Sequence, residues 1–242
     1  MEPRGTNRLM QKNILITGKP KSGKSTLLRK LIADIPNKVG FVTNEILGKY
    51  GRVGFEIETY SGYKTILASV DFETKNKVSK YFVSVENLES VLPEISNFKN
   101  DNFLYLDEIG QMQLFSNKFK KLVLQYLNSP NTCMTTLSNV FEDDFTKSLK
   151  ERHDIILVEI STEDREEKEK FLVQLLKKIE KAKRYIAEPE RFKINGHKVE
   201  LQSEHGTRNL VLVNGKWNCT CDFFKQYGIC SHIIATKEIV TS

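Results

Sequence analysis

The sequence predicts an α/β protein with a parallel-rich central sheet flanked by helices, followed by a small C-terminal ββα-like metal-binding module. Three observations predict it. Short apolar, β-rich segments alternate with helical stretches through most of the chain. A glycine- and lysine-bearing turn joins the first of these segments to the first helix. Near the C-terminus the strands shorten, turn signals multiply, and three cysteines and a histidine cluster.

The first strand is Asn13-Ile14-Leu15-Ile16-Thr17. It runs directly into Gly18-Lys19-Pro20-Lys21-Ser22-Gly23-Lys24-Ser25, which has the form G-x-x-x-x-G-K-[ST] of a phosphate loop. Gly18 and Gly23 allow backbone conformations and a close approach that a Cβ would obstruct. The amides around Pro20, Lys21, Ser22, Gly23, Lys24, Ser25 and Thr26 can then converge on phosphate oxygens at the positive end of the following helix. Lys24 is expected to reach the β- and γ-phosphates, and the Ser25 hydroxyl to bind Mg²⁺. Thr26-Leu27-Leu28-Arg29-Lys30-Leu31-Ile32 continues as an amphipathic helix.

Further strands are expected at 38–43, 53–60, 64–68, 81–85, 103–107, 132–138 and 154–160. The pair around Ser61-Gly62 reads as a β-hairpin inserted at a sheet edge. Leu114, Phe115, Phe119, Leu122, Val123, Tyr126 and Leu127 form one helical face that stops at Asn128-Ser129-Pro130-Asn131. Cys133 falls in the strand that follows and reads as a core residue. A helix over about 162–183 opens with Glu163, Asp164, Glu166 and Glu167 and closes with Lys177, Lys178, Lys181 and Lys183, the order the helix dipole favours. The period changes after Ala187-Glu188-Pro189-Glu190. The expected organisation is a nucleotide-hydrolysing domain over 1–183, a linker over 184–190 and a zinc-binding module over 191–242.

Phe103-Leu104-Tyr105-Leu106-Asp107-Glu108 is an apolar run ending in two acids, the Walker B pattern. A strand beside the phosphate-loop strand would place Asp107 to hold Mg²⁺. Adjacent strand residues point to opposite sides, so Asp107 and Glu108 need not share one job, and Glu108 is the candidate that activates water. A kinase has no need of a carboxylate dedicated to water, so the pair favours a triphosphatase, with a nucleoside or nucleotide kinase as the alternative. No N-K-x-D guanine reader is present, because Asn76-Lys77-Val78-Ser79 fails at the acid. ATP or mixed nucleotide use is expected.

Cys219 and Cys221, followed after eight residues by Cys230 and His232, make the spacing C-x-C-x₈-C-x-H. An extended strand end presents the first two thiolates on one side, and a helix start supplies the others. Three sulfurs and one nitrogen suit a closed structural Zn²⁺ site. So short a module rarely has core enough to fold alone, and zinc can contribute ~10–16 kcal/mol. His197 and His205 lie outside the spacing.

The 242 residues are 39% hydrophobic and 28% charged, with a net charge of +6. No apolar run approaches the ~18 residues of a membrane span, and Met1-Glu2-Pro3-Arg4-Gly5-Thr6-Asn7 leads into no secretory h-region, so a cytoplasmic protein with no membrane partner is expected. Residues 183–242 carry nine Lys/Arg against six Asp/Glu, a local excess of +3. That balance leaves nucleic acid and protein both open as partners of the zinc module, including a zinc-dependent nucleic-acid-binding protein in which the triphosphatase domain acts as a switch.

Residues 13–180 resemble the small P-loop nucleoside-triphosphatase family of the human cancer-related NTPase and its thermophilic microbial relatives. Beyond the phosphate loop, three stretches carry the resemblance. Val39-Gly40-Phe41-Val42-Thr43-Asn44-Glu45-Ile46 is similar to the family's G-F-x-T-x-E segment. Gly51-Arg52-Val53-Gly54-Phe55-Glu56-Ile57 resembles its G-x-R-x-G-F stretch. Asp107-Glu108-Ile109-Gly110-Gln111-Met112-Gln113-Leu114-Phe115 resembles its D-E-I-G-x-M-E-L-F signature, with Gln113 in place of the usual Glu. The resemblance implies slow hydrolysis of nucleoside triphosphates to diphosphates with broad base tolerance. Arg52, Arg152 and Arg165 are candidates for a cation at the γ-phosphate, Arg165 because Glu163-Asp164-Arg165-Glu166 resembles the family's N-R-D stretch. The C-terminal segment resembles the SWIM zinc finger, including Trp217 before the first cysteine and the apolar helix after His232. That family's association with DNA or protein binding is what the resemblance implies here.

Overall fold

The computed structural model describes residues 10–241, so the N-terminal stretch read above for a leader lies outside the described residues. In chain order the elements are β1 (Asn13–Thr17), α1 (Lys24–Ile32), β2 (Lys38–Gly48), β3 (Gly51–Thr59), β4 (Lys64–Ser69), β5 (Asn76–Val78), β6 (Tyr81–Val83), α2 (Val85–Ser96), β7 (Phe103–Ile109), α3 (Asn117–Asn128), β8 (Cys133–Leu137), α4 (Asp144–Lys150), β9 (Ile155–Glu159), α5 (Arg165–Ile186), β10 (Phe192–Asn195), β11 (Lys198–Ser203), β12 (Gly206–Val213), β13 (Lys216–Cys219), α6 (Asp222–Tyr227) and α7 (Ser231–Thr241).

The chain divides into two compact units, Lys12–Glu169 and the residues from Lys170 onward together with Gln11. The division falls inside α5, and the stretch expected as a linker at 184–190 begins as the last turn of that helix. The reason is local. The acids of α5's first turn and the bases of its last complement the dipole over 22 residues, and nothing before Glu188-Pro189 breaks the helix.

In the first unit a nine-stranded sheet runs in the order β5-β6-β4-β3-β2-β7-β8-β1-β9. The five strands from β2 to β9 pair in parallel, and β3, β4, β6 and β5 extend them antiparallel. β1 and β8 are buried along their whole length, as strands covered on both faces by helices must be. Cys133 is a core residue of β8, and burial pushes its thiol up to about 12.

Two expectations about this sheet are corrected. The β3–β4 hairpin is not at an edge, because β6 and β5 pair beyond it. β2 runs to Gly48 rather than 43, since its half-exposed second part pairs with β3 and lacks the apolar signature that marks its first part. Gly40 is required where β2 meets β7: its φ is 153°, and a Cβ there would sit 1.8 Å from the Tyr105 carbonyl oxygen.

The helices cover this sheet with the faces their periodicity defines. In α3 the buried set is Phe119, Leu122, Val123, Tyr126 and Leu127. The face was expected to begin at Leu114, but Gln113–Phe115 forms a separate 3₁₀ turn. Ser116 then caps α3, its hydroxyl accepting from the Phe119 amide at 3.1 Å. α2 starts the same way at Ser84, and α4 opens with a capping box between Asp143 and Thr146.

The second unit contains a four-stranded antiparallel sheet, β10-β11-β12-β13, with α6 and α7 following it. The ββα-like plan is thus elaborated by two additional strands and a helix. One face of the sheet, with Val199, Leu201, Leu210, Trp217 and Cys219, is buried together with Ile233, Ile234 and Ala235 of α7. The Asn214-Gly215 turn has positive φ at both residues, as a tight two-residue hairpin requires.

Candidate active site and metal centre

The phosphate loop leaves the buried end of β1 and turns into α1. Gly18 has φ 147°, and a Cβ on it would meet the Ile160 carbonyl oxygen at 2.2 Å. Gly23, with φ 91°, forms the left-handed N-cap of α1. Lys24 Nζ folds back to donate to the carbonyls of Gly18 at 2.9 Å and Lys19 at 3.2 Å. Burial holds its ammonium below the usual lysine range, opposed by the charges of Glu108 and Asp107. Pro20, Lys21, Gly23, Lys24, Ser25 and Thr26 line a cleft of about 840 Å³. Ser22 lies beneath them, its buried hydroxyl without a hydrogen-bond partner.

Asp107 reaches the same cleft from β7. Its Oδ1 accepts from the Ser25 hydroxyl at 2.8 Å and from the Thr136 hydroxyl at 2.7 Å. Its Oδ2 is buried with no hydrogen-bond partner, and the nearest cation is Arg29 Nη2 at 3.9 Å. An orphaned carboxylate oxygen beside a serine hydroxyl is a hard-oxygen donor set, which fits Mg²⁺. The Walker B strand is not next to the phosphate-loop strand as expected: β8 lies between them, and its Thr136 bridges to Asp107. Desolvation raises the Asp107 carboxyl, offset by those two hydroxyl hydrogen bonds.

Glu108 lines the same cleft, although strand alternation places it opposite Asp107. The β7–β8 register shifts between Leu106 and Ile109, so regular alternation ends at the two acids and both face the cavity. Burial, and secondarily Asp107, raises the Glu108 carboxyl above the usual range.

Of the three candidate arginines, Arg52 and Arg165 line the cleft, and Arg165 lies against Gly23. Arg152 does not. It is tied to the fully buried Asp154 at 2.8 Å and to Asn128, at the amino end of β9 and away from the carboxyl ends that form the cleft. Gln113 is buried and donates to the Thr43 hydroxyl at 3.5 Å, so a neutral amide stands where the resemblance expects an acid. His153 is exposed.

Arg29 and Thr43 were not anticipated. Arg29 donates to the Thr43 carbonyl at 2.8 Å, and the Thr43 hydroxyl donates to the Asp107 carbonyl. One signal was available: Arg29 follows Ser25 by four residues, which puts both on one helix face. Phe55 and Tyr81 also line the cleft beside Arg52; Phe55 falls in the G-x-R-x-G-F stretch quoted above, whereas Tyr81 carried no such signal, because β4 separates its strand from β3.

In the second unit Cys219 ends β13, Cys221 caps α6, and Cys230 and His232 begin α7. Their ligand atoms all lie within 4.8 Å of one another, and tetrahedral Zn²⁺ with bonds of ~2.0–2.3 Å would draw them in to roughly 3.3–3.8 Å apart. Hydrogen bonding from Cys230 and His232 holds the Cys219 thiol below the usual cysteine range, whereas the hydrogen bond to Cys219 and burial push Cys230 up. His232 stacks on Tyr185 with ring centroids 5.9 Å apart, which orients the imidazole. No disulfide joins the cysteines, and His197 and His205 are exposed outside the cluster.

Comparison with known proteins gives two family matches: the NTPase family model over residues 13–173 and the SWIM zinc finger over residues 207–239. The nucleoside-triphosphatase THEP1 of Thermotoga sp. (strain RQ2) is 34% identical over 154 residues, covering 63% of this chain and 88% of that protein. The protein of the same name from Methanocaldococcus jannaschii is 35% identical over 173 residues, covering 69% and 96%. The crystal structure of THEP1 from Aquifex aeolicus superposes with a TM-score of 0.62 at 32% identity, covering 68% of this chain and 98% of that one.

Proposed function

The chain belongs to the NTPase family, and from that membership we propose that it hydrolyses nucleoside 5′-triphosphates, ATP among them, to diphosphate and phosphate with the help of Mg²⁺. Hydrolysis of nucleoside triphosphates is what the names of its relatives state. The observation that carries the magnesium reading is the pairing of Ser25 with Asp107 beside an orphaned carboxylate oxygen, in a cleft that Lys24 and Glu108 also line.

The backbone N–H groups of residues 21–26 and the Lys24 ammonium grip the polyphosphate, with Pro20 shaping the loop, and Lys24 leaves the Gly18 and Lys19 carbonyls to do so. Ser25 and Asp107 are the residues that would hold Mg²⁺, which when bound would neutralise charge on the β- and γ-phosphate oxygens. Glu108 orients a water molecule and takes its proton as the oxygen attacks the γ-phosphorus. Arg165, packed on the phosphate loop, is our candidate for stabilising the charge that develops there. Steady-state hydrolysis of ATP, GTP, CTP and UTP tests this reading. Turnover of several triphosphates that stops when EDTA is added is expected, and folded protein inert toward all four with Mg²⁺ would refute it.

For the second unit we propose a structural Zn²⁺ held by Cys219, Cys221, Cys230 and His232, with nucleic acid or protein as the partner of the module. The family matches end at 173 and begin at 207, which supports placing the functional division at 184–190 although α5 continues across its start. No helix among the described residues is long and apolar enough to cross a membrane, and we propose the cytoplasm as the site of action.

A further inference from the structure

We propose that the cleft is built for two substrates, and that its side beyond Glu108 seats a nucleoside whose hydroxyl receives the γ-phosphoryl group in place of water. The proposal rests on the triphosphate reading above. Direction along the cleft follows from the phosphate loop. Lys24 serves the β- and γ-phosphates, and Ser25 and Asp107 flank the place where those two meet, so passing from β1 to β7 is passing toward γ. The cleft does not stop there. It continues over β2, β3 and β6, and β3 lies four strand positions from β1, about 19 Å at ~4.8 Å per strand. A nucleophile in line with the departing diphosphate arrives from this far side.

What lies there is a preformed platform. The Arg52 guanidinium carbon sits 4.6 Å from the Phe55 ring centroid and 5.6 Å from that of Tyr81. Its Nε donates to the Tyr81 hydroxyl at 3.0 Å, and Glu45 forms an ion pair with it. The guanidinium is thereby held in place while the side chain remains 39% exposed. Nucleobases stack on arginine planes and aromatic faces regardless of base identity.

Charge narrows the ligand further. Glu45 neutralises Arg52, and Arg29, the other cation on this side, is committed to the Thr43 carbonyl and to Asp107. Neither is left to receive a second phosphate, so a neutral nucleoside fits where a nucleotide does not. In the transfer the bond from the γ-phosphorus to the β–γ bridging oxygen breaks. A bond from the nucleoside hydroxyl oxygen to that phosphorus forms, and the hydroxyl proton passes to Glu108. The products are a nucleoside diphosphate and a nucleoside monophosphate.

To test this, the full chain is incubated with Mg²⁺, γ-labelled ATP and a mixture of adenosine, guanosine, cytidine and uridine, and ADP, inorganic phosphate and nucleoside monophosphates are quantified. Label in a monophosphate, with ADP exceeding inorganic phosphate by the same amount, is expected. Phe55→Leu, which removes the ring beneath Arg52, should lower monophosphate formed per ATP consumed by about tenfold. Equilibrium dialysis of labelled nucleoside against the protein bound to a non-hydrolysable ATP analogue should retain nucleoside in addition to the analogue. ATP loss with all label in inorganic phosphate and no nucleoside retained would overturn the acceptor site and leave hydrolysis standing. No ATP loss at all would overturn both.

Discussion

The Ser25 hydroxyl and the Asp107 carboxylate, 82 residues apart in sequence, meet at 2.8 Å across the mouth of the phosphate loop. Each is a hard oxygen donor, and the second oxygen of Asp107 is buried without a hydrogen-bond partner. Arg29 Nη2, at 3.9 Å, is the nearest cation to that oxygen and makes no hydrogen bond to it, so a bound divalent cation would complete the compensation of this buried charge. Asp107→Asn should therefore leave the fold intact but lower kcat/KM by ~100-fold or more, about 2.7 kcal/mol at ~1.36 kcal/mol per decade. Titrating Mg²⁺ at fixed ATP checks it, with the half-saturating metal concentration rising in the variant.

Glu108→Gln keeps the volume and the burial of the side chain but removes the proton acceptor. Turnover should fall by ~10²–10⁴-fold while the dissociation constant for Mg²⁺-nucleotide stays within a few-fold. Full activity in this variant would remove Glu108 from the reaction.

Because burial and the neighbouring Asp107 raise the Glu108 carboxyl, its charged form is reached only above the ordinary carboxylate range of ~4.3. A base works when unprotonated, so kcat should decline as pH falls through the raised value, and the acid limb of the pH–kcat profile should lie above that range. An acid limb at the ordinary glutamate position would contradict the assignment.

Arg165 and Arg152 make a contrasting pair. Arg165→Ala should lower kcat by ~10-fold or more with little change in melting temperature, arginines that stabilise a transferring phosphoryl group being worth up to ~10³–10⁵. Arg152→Ala should leave kcat near its original value yet destabilise by ~3 kcal/mol, because it strips the fully buried Asp154 of its cation. Thermal melts and initial rates on the two variants read both effects.

Chelation of zinc, or Cys219→Ser, should unfold the second unit, whose apolar core is small against a metal contribution of ~10–16 kcal/mol. Loss of one zinc per chain, together with disappearance of a distinct melting transition, is the expected result. A second unit that melts unchanged without metal would show that the four ligands are dispensable.

The parts of the site that sequence reveals are those whose chemistry is written in consecutive residues. Gly18 through Ser25 must be contiguous to make a loop of amides, and Cys219 with Cys221 must be two apart to face one side of an extended chain. The stripe of α3 was legible for the same reason, because Phe119 and Tyr126 share a face at helical spacing. Its first turn was misjudged because the Ser116 cap, a local competitor, begins the helix three residues later than the apolar pattern.

By itself, then, the amino-acid order marked out the loop from Gly18 to Ser25, the two acids Asp107 and Glu108, and the four side chains that gather in the second unit. Folding decided the remainder. That β8 separates β7 from β1, that a register shift turns both Asp107 and Glu108 into one cavity, and that Arg29 comes to lie beside a buried carboxylate all depend on strand order and pairing. Those are relations between segments distant along the chain. No local pattern encodes them, because the free energy that selects one order of strands comes from burying all of their faces at once.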